Sequence, residues 1–98
     1  MAFIQIIDFR TSKIDEGRKL VEEYRAKTQG KRTANRGILC QDRDEPNRYL
    51  NLVFFDSYEA AMENSNLPGT SESAEKMAAV LTAPPVFRDL DVLQDKDN

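Results

Sequence analysis

Arg48-Tyr49-Leu50-Asn51-Leu52-Val53-Phe54-Phe55 decides the fold, because its apolar residues fall on both sides of an extended chain. Successive strand side chains point to opposite faces. Leu50, Leu52 and Phe54 therefore share one side, and Tyr49, Asn51, Val53 and Phe55 the other. The stretch Phe3 to Phe9 repeats the pattern, with Phe3, Ile7 and Phe9 on one side and Ile4 and Ile6 on the other. A strand that is apolar on both sides belongs to a sheet covered on both faces.

Working outward, Ser12 is placed as the N-cap of a first helix with Asp15 at its third position. Ile14, Gly17, Leu20, Val21, Tyr24 and Thr28 recur at helical spacing, and Gly30 is expected to end that helix. Gly37 to Gln41 reads as a second strand, joined to Arg48–Phe55 by the polar connection Asp42-Arg43-Asp44-Glu45-Pro46-Asn47. Asp56 with Glu59 three residues on predicts a second helix start. Asn64 to Gly69 breaks this helix, a further helical segment follows over 71–81, and Pro84-Pro85 stops it. Val86 to Leu93 is the closing strand. One domain over 1–93 and a polar tail over 94–98 complete the chain.

The order β-α-β-β-α-β predicts an α+β, ferredoxin-like domain: a four-stranded antiparallel sheet with its helices on one face. The helices leave about 300 Å² of apolar sheet uncovered, from strand rise and spacing. Covering it is worth on the order of 7 kcal/mol per subunit before association costs. A face-to-face homodimer is the simplest cover.

Composition narrows the function classes. With 98 residues there is room for one core only. A net charge of −3 argues against a general nucleic-acid binder. The RNA-recognition motif, which shares this element order, needs Arg/Lys-Gly-aromatic where Arg48-Tyr49-Leu50 stands. With no histidine and one cysteine, no zinc site is expected. Carboxylates leave magnesium or calcium open in principle, but no loop has the required ligand spacing, so no metal site is assigned. The apolar N-terminal stretch is too short for a signal or membrane helix. The expectation is a cytoplasmic protein with neither nucleic-acid nor membrane partners.

The run from Tyr49 to Met62, followed by Asn64 and Pro68, resembles the dimeric α/β-barrel superfamily and, within it, antibiotic-biosynthesis-monooxygenase-like domains. Those domains show an apolar strand ending in an aromatic, a Ser/Asp-x-x-Glu-Ala helix start, and a proline shortly beyond. Pro84 to Val92 is similar to the closing strand of small members of the superfamily. The resemblance implies a homodimer with an apolar pocket, and no cofactor. Some members oxidise phenolic or polyketide-like substrates, whereas others degrade haem, isomerise lactones or have no assigned reaction. In the quinone-forming oxygenases an Asn and a Trp lie four apart on the third strand. Asn51 and Phe55 stand at the matching positions, so the indole N–H is missing. Asn64 takes the place of a frequent family His. Without any histidine, the haem-degrading type is disfavoured and the general-base role is vacant.

Asn51 is the candidate catalytic residue. An amide inside an apolar strand needs partners; it either bonds a neighbouring loop or holds a substrate oxygen and stabilises a developing enolate. Gln5 raises the same alternatives on the first strand. Phe55, Tyr58 and Phe87 can wall a planar ligand or simply fill the core, and Asn64 joins them as a candidate binding residue. Cys40 lacks a histidine partner and is expected to be a buried, inert thiol. The basic run Lys27, Lys31, Arg32, Arg36 reads as a solvated loop or a lure for anions. Asp89 and Asp91 share a strand face, either as paired carboxylates for acid–base work or, on an edge strand, facing water or pairing with arginines such as Arg88 and Arg43. A non-catalytic dimer or ligand-binding module stands as the alternative to an enzyme.

Overall fold

The computed structural model describes residues 1–97. Its elements are β1 (Phe3–Arg10), α1 (Ile14–Lys27), β2 (Ala34–Gln41), β3 (Arg48–Phe55), α2 (Tyr58–Ser65), α3 (Thr70–Ala78) and β4 (Val86–Asp91). The four strands form one antiparallel sheet in the order β2-β3-β1-β4, which leaves β2 and β4 as its edges. The helices pack on one face, giving the expected ferredoxin-like layer with the second helical stretch broken in two. Gly69, with φ +91, turns the chain at that break.

Register assigns every strand residue to a face. Phe3 pairs with Phe55, Gln5 with Val53, Ile7 with Asn51 and Phe9 with Tyr49, so these eight share the helix side. Phe3, Phe55 and Ala61 of α2 form the buried cluster, with Ala34, Val53 and Ala60 packed against it. Ile4, Ile6, Leu50, Leu52, Phe54 and Ile38 lie on the other side, over which no helix passes.

The dimensions agree with a layer open on one face. Extents of 35 × 34 × 20 Å describe a slab. The radius of gyration is 13.8 Å, against about 12.6 Å for a compact domain of this length. The accessible surface is 7133 Å², about 1,400 Å² more than a compact monomer of this mass exposes. The extended segment after Asp91 accounts for part of the excess, with Leu93 88% exposed.

Several boundaries differ from expectation, each for a local reason. Ser12 does not cap α1. Thr11 does the local work, accepting the Lys13 N–H at 2.9 Å and donating to the Val80 carbonyl. The helix ends at Lys27 rather than Gly30, because the Thr28 hydroxyl bonds the Tyr24 carbonyl at 2.7 Å. Gly30, at φ +79, supplies the turn that follows. Strand β2 starts at Ala34, not Gly37, with a bulge between Ala34 and Arg36; the Asn35 side chain bonds Asp56 Oδ1 at 2.7 Å. Asp56 is thus used elsewhere, and Ser57 caps α2 by accepting the Ala60 N–H at 3.1 Å. Helix α3 stops at Ala78 instead of Leu81, where i to i+3 bonds tighten its last turn. Strand β4 ends at Asp91, although the Val92 N–H still reaches the Ala2 carbonyl at 2.9 Å. Of the expected tail, Asn98 lies outside the described residues.

Candidate functional site

Asn51 sits at the centre of a row that crosses the helix side of the sheet. Cα pairing runs Leu39–Asn51 on one flank and Asn51–Ile7–Phe87 on the other. Its amide makes no hydrogen bond among the described residues, and neither of its polar atoms is fully buried. An amide so placed keeps one acceptor and two donors for a ligand or solvent.

The surroundings of the amide are apolar and partly open. On one side lies the stacked pair Phe9 and Tyr49, with ring centroids 5.7 Å apart. On the other lies the row Gly37–Val53–Gln5–Asp89. A side chain at Gly37 would meet nothing within 4 Å, so this row is open at its β2 end, whereas Val53 packs against the buried cluster. Leu39 and Phe87, at the two ends of the Asn51 row, are 45% and 57% exposed. The Asn51 row itself, Leu39–Asn51–Ile7–Phe87, is apolar apart from the amide, and the polar Gln5 and Asp89 stand in the next row.

The sequence candidates divide into two groups. Asn51, Phe87 and Gln5 occupy the same or adjacent rows, and Gln5 spends one donor on Asp89 Oδ1 at 3.3 Å. Phe55 lies four residues along β3 from Asn51, about 13 Å by strand rise. It is buried against Phe3, on whose edge Tyr58 packs at 5.5 Å. Phe55 and Tyr58 therefore belong to the α2 end of the layer. Asn64 ties elements together: its Oδ1 accepts the Thr33 N–H at 3.3 Å, and its carbonyl accepts the Thr70 hydroxyl. The Tyr24 hydroxyl is shared with Thr70 at 3.2 Å, while Tyr49 is buried. Cys40 is exposed rather than buried, because it points from edge strand β2 to the uncovered face. Asp89 and Asp91 stand exposed on edge strand β4. Among the described residues no cluster of metal-ligating side chains forms, and no helix is long and apolar enough to cross a membrane.

One group escaped sequence reasoning. On the uncovered face Arg48 grips Asp8 with two bonds, of 3.1 and 2.7 Å. It also reaches Asp42 at 3.3 Å and Glu45 at 3.2 Å, and Arg10 bonds Glu45 at 3.1 Å. The hydrogen bond from Arg48 holds the Asp8 carboxyl below the usual range, and Asp8 in turn raises Arg48. A cleft of about 100 Å³ opens beside the pair, walled by Ala83, Pro84 and Val86. The available signal was a lone carboxylate in Ile6-Ile7-Asp8-Phe9; its partner depended on a register that spacing does not reveal.

Comparison with known proteins gives fold likeness at low identity. No family profile and no curated protein sequence matches the chain. Among solved structures, a provisional antibiotic biosynthesis monooxygenase of Caulobacter crescentus CB15 superposes with TM-score 0.81 at 17% identity, covering 95% of this chain and 91% of that one. SnoaB of Streptomyces nogalater, a cofactor-independent oxygenase, gives 0.79 at 18% identity, covering 96% and 95%. A conserved protein of Methanosarcina mazei Go1 gives 0.80 at 11% identity, covering 92% and 91%. The chain has the fold of antibiotic-biosynthesis-monooxygenase-like proteins over nearly its whole length.

Proposed function

We propose that the chain is the subunit of a homodimer that holds a planar, apolar small molecule over Asn51 and oxidises it with molecular oxygen, without a cofactor. The observation that carries this reading is the unpartnered Asn51 amide in the middle of an apolar, partly open row. Likeness in fold to a cofactor-independent oxygenase supports the class of reaction. The fitting substrate is a phenolic or polyketide-like ring carrying an acidic CH₂ beside a carbonyl.

The chemistry follows from where charge develops. Loss of a proton from the CH₂ leaves an enolate, whose oxygen receives an N–H from the Asn51 amide. The enolate carbon passes an electron to oxygen, and recombination gives a hydroperoxide. Loss of water then yields the ring carbonyl, so one O₂ becomes one carbonyl oxygen and one water. The chain contains no histidine to take the first proton. A substrate with a low carbon-acid pKa is therefore required, and solvent or the substrate's own phenolate accepts the proton. The same vacancy favours a second reading, a ligand-binding dimer without turnover.

Aerobic incubation with anthrone-like and hydroquinone-like probes, followed by oxygen electrode, separates the readings. The oxygenase consumes one O₂ per substrate, and Asn51→Ala lowers kcat by about a hundredfold, the usual effect of removing one oxyanion donor. Binding without oxygen uptake across the panel assigns the binding module. No binding in wild type removes both readings of the site.

A further inference from the structure

The proposed oxidation begins with loss of a proton from the ring, and the strands carry a group placed to take it. Asn51, Gln5 and Asp89 stand on the helix side of the sheet in two adjoining rows, Leu39–Asn51–Ile7–Phe87 and Gly37–Val53–Gln5–Asp89. Of the strand residues on that side, only Asp89 and Asp91 are acidic. Asp8 points to the other face, where Arg48 bonds both of its oxygens. Asp91 lies one row further from Asn51, beside the buried Phe3.

Asp89 is exposed and makes no ion pair among the described residues. Its carboxylate has one hydrogen bond there, received on Oδ1 from Gln5 Nε2 at 3.3 Å, which leaves Oδ2 free to accept a proton. Gln5 interrupts the apolar run Phe3-Ile4-Gln5-Ile6-Ile7, and its neutral amide orients the carboxylate without cancelling its charge. The β4 end of the Asn51 row is open, with Phe87 57% exposed and no residue of α3 buried. A ring lying on Ile7 and Phe87 therefore has Asn51 at one end and Asp89 at the other.

The spacing suits one substrate bridging the two. Two strand separations and two residue rises put the Cα atoms of Asn51 and Asp89 about 12 Å apart. An acidic ring carbon lies about 2.4 Å from the carbonyl oxygen when adjacent to the carbonyl, and about 4 Å when across the ring as in anthrone. A contact of about 3 Å at each end brings the total to about 8–10 Å, which two side chains leaning toward each other span.

We propose that Asp89 is the base of the oxidation and Gln5 its positioning residue. The C–H bond breaks, its proton passes to Asp89 Oδ2, and the electron pair enters the ring as the enolate held by Asn51. Once O₂ has added to the carbon, Asp89 returns the proton to the peroxide anion. It then removes the second proton of the same carbon as the O–O bond breaks, and hydroxide leaves with that proton as water.

This inference rests on the oxygenase reading and puts a side chain in the place of solvent as proton acceptor. Anaerobic exchange of the anthrone CH₂ protons in D₂O, followed by proton NMR, tests the base apart from oxygen uptake. Wild type accelerates exchange at least tenfold over buffer. Asp89→Asn, which keeps the acceptor for Gln5, lowers the accelerated rate about a hundredfold while the anthrone Kd stays within about twofold. Asp89→Ala loses as much and regains at least tenfold with added formate, a soluble carboxylate. Asp91→Asn exchanges as wild type does. Circular dichroism confirms that each variant is folded. Exchange in Asp89→Asn within about threefold of wild type, an Asp89→Ala loss that formate does not restore, or an equal loss in Asp91→Asn overturns the proposal. Wild-type exchange no faster than buffer also overturns it; the oxygenase reading then stands if wild type consumes O₂ with the same probe, and falls with it if no O₂ is consumed.

Discussion

Asn51 combines two properties that rarely coincide at the centre of a sheet: apolar row neighbours and an amide without a hydrogen-bond partner among the described residues. Because no internal hydrogen bond is lost, Asn51→Ala is expected to leave the thermal midpoint within about 2 °C while weakening ligand binding or turnover at least tenfold. A structural amide would show the reverse in calorimetry. Thr11 is the opposite case, buried and bonded at both ends. Thr11→Val should cost about 2 kcal/mol in urea unfolding without touching ligand binding. At Asp8 the carboxyl is held low, so its contribution is present above about pH 4 and fades as the pH falls through the lowered value. Urea midpoints followed from pH 5 down to about pH 2 should therefore fall more steeply in wild type than in Asp8→Asn. Asn51 was legible in the sequence because an amide interrupts an apolar strand. The Asp8–Arg48 pair was not, since it depends on which residues of two distant strands stand side by side.

Elements obeyed their periodicity more faithfully than their ends obeyed local signals. The eight residues of β3 were legible to the residue, because a short apolar, aromatic-rich run between polar segments reads as a strand covered on both faces. Caps were ambiguous wherever two polar residues adjoin. Asp56 and Ser57 both suit an N-cap, and the bulge at Asn35 settles the matter by occupying Asp56. Ser57→Ala is accordingly expected to destabilise by about 1 kcal/mol in chemical unfolding, more than Asp56→Ala does. Equal effects would contradict the assignment. The start of β2 was hidden because Asn35 and Arg36 are polar and exposed on an edge strand, where no alternation is enforced. The aromatic candidates separated for a similar reason: Phe55 and Phe87 are both strand aromatics, but one lies under α2 and the other on an open edge.

At the scale of the molecule, one physical fact organises the account. Leu50, Leu52, Phe54, Ile4 and Ile6 point away from the helices, so the sheet has a second apolar side that its own chain does not cover. That was readable from the sequence, since alternation puts apolar residues on both sides whatever the register. The flattened shape and part of the surplus surface are its consequence. A charge at the middle of this side, Leu52→Lys, should split the proposed dimer into folded single subunits, visible as a halved mass with an unchanged far-ultraviolet spectrum. Unfolding of that variant would mean that Leu52 serves the subunit's own core. The most direct test is the mass of the wild-type chain by light scattering at micromolar concentration. The account predicts twice the mass of one chain. A single-chain mass that persists as concentration rises would contradict it.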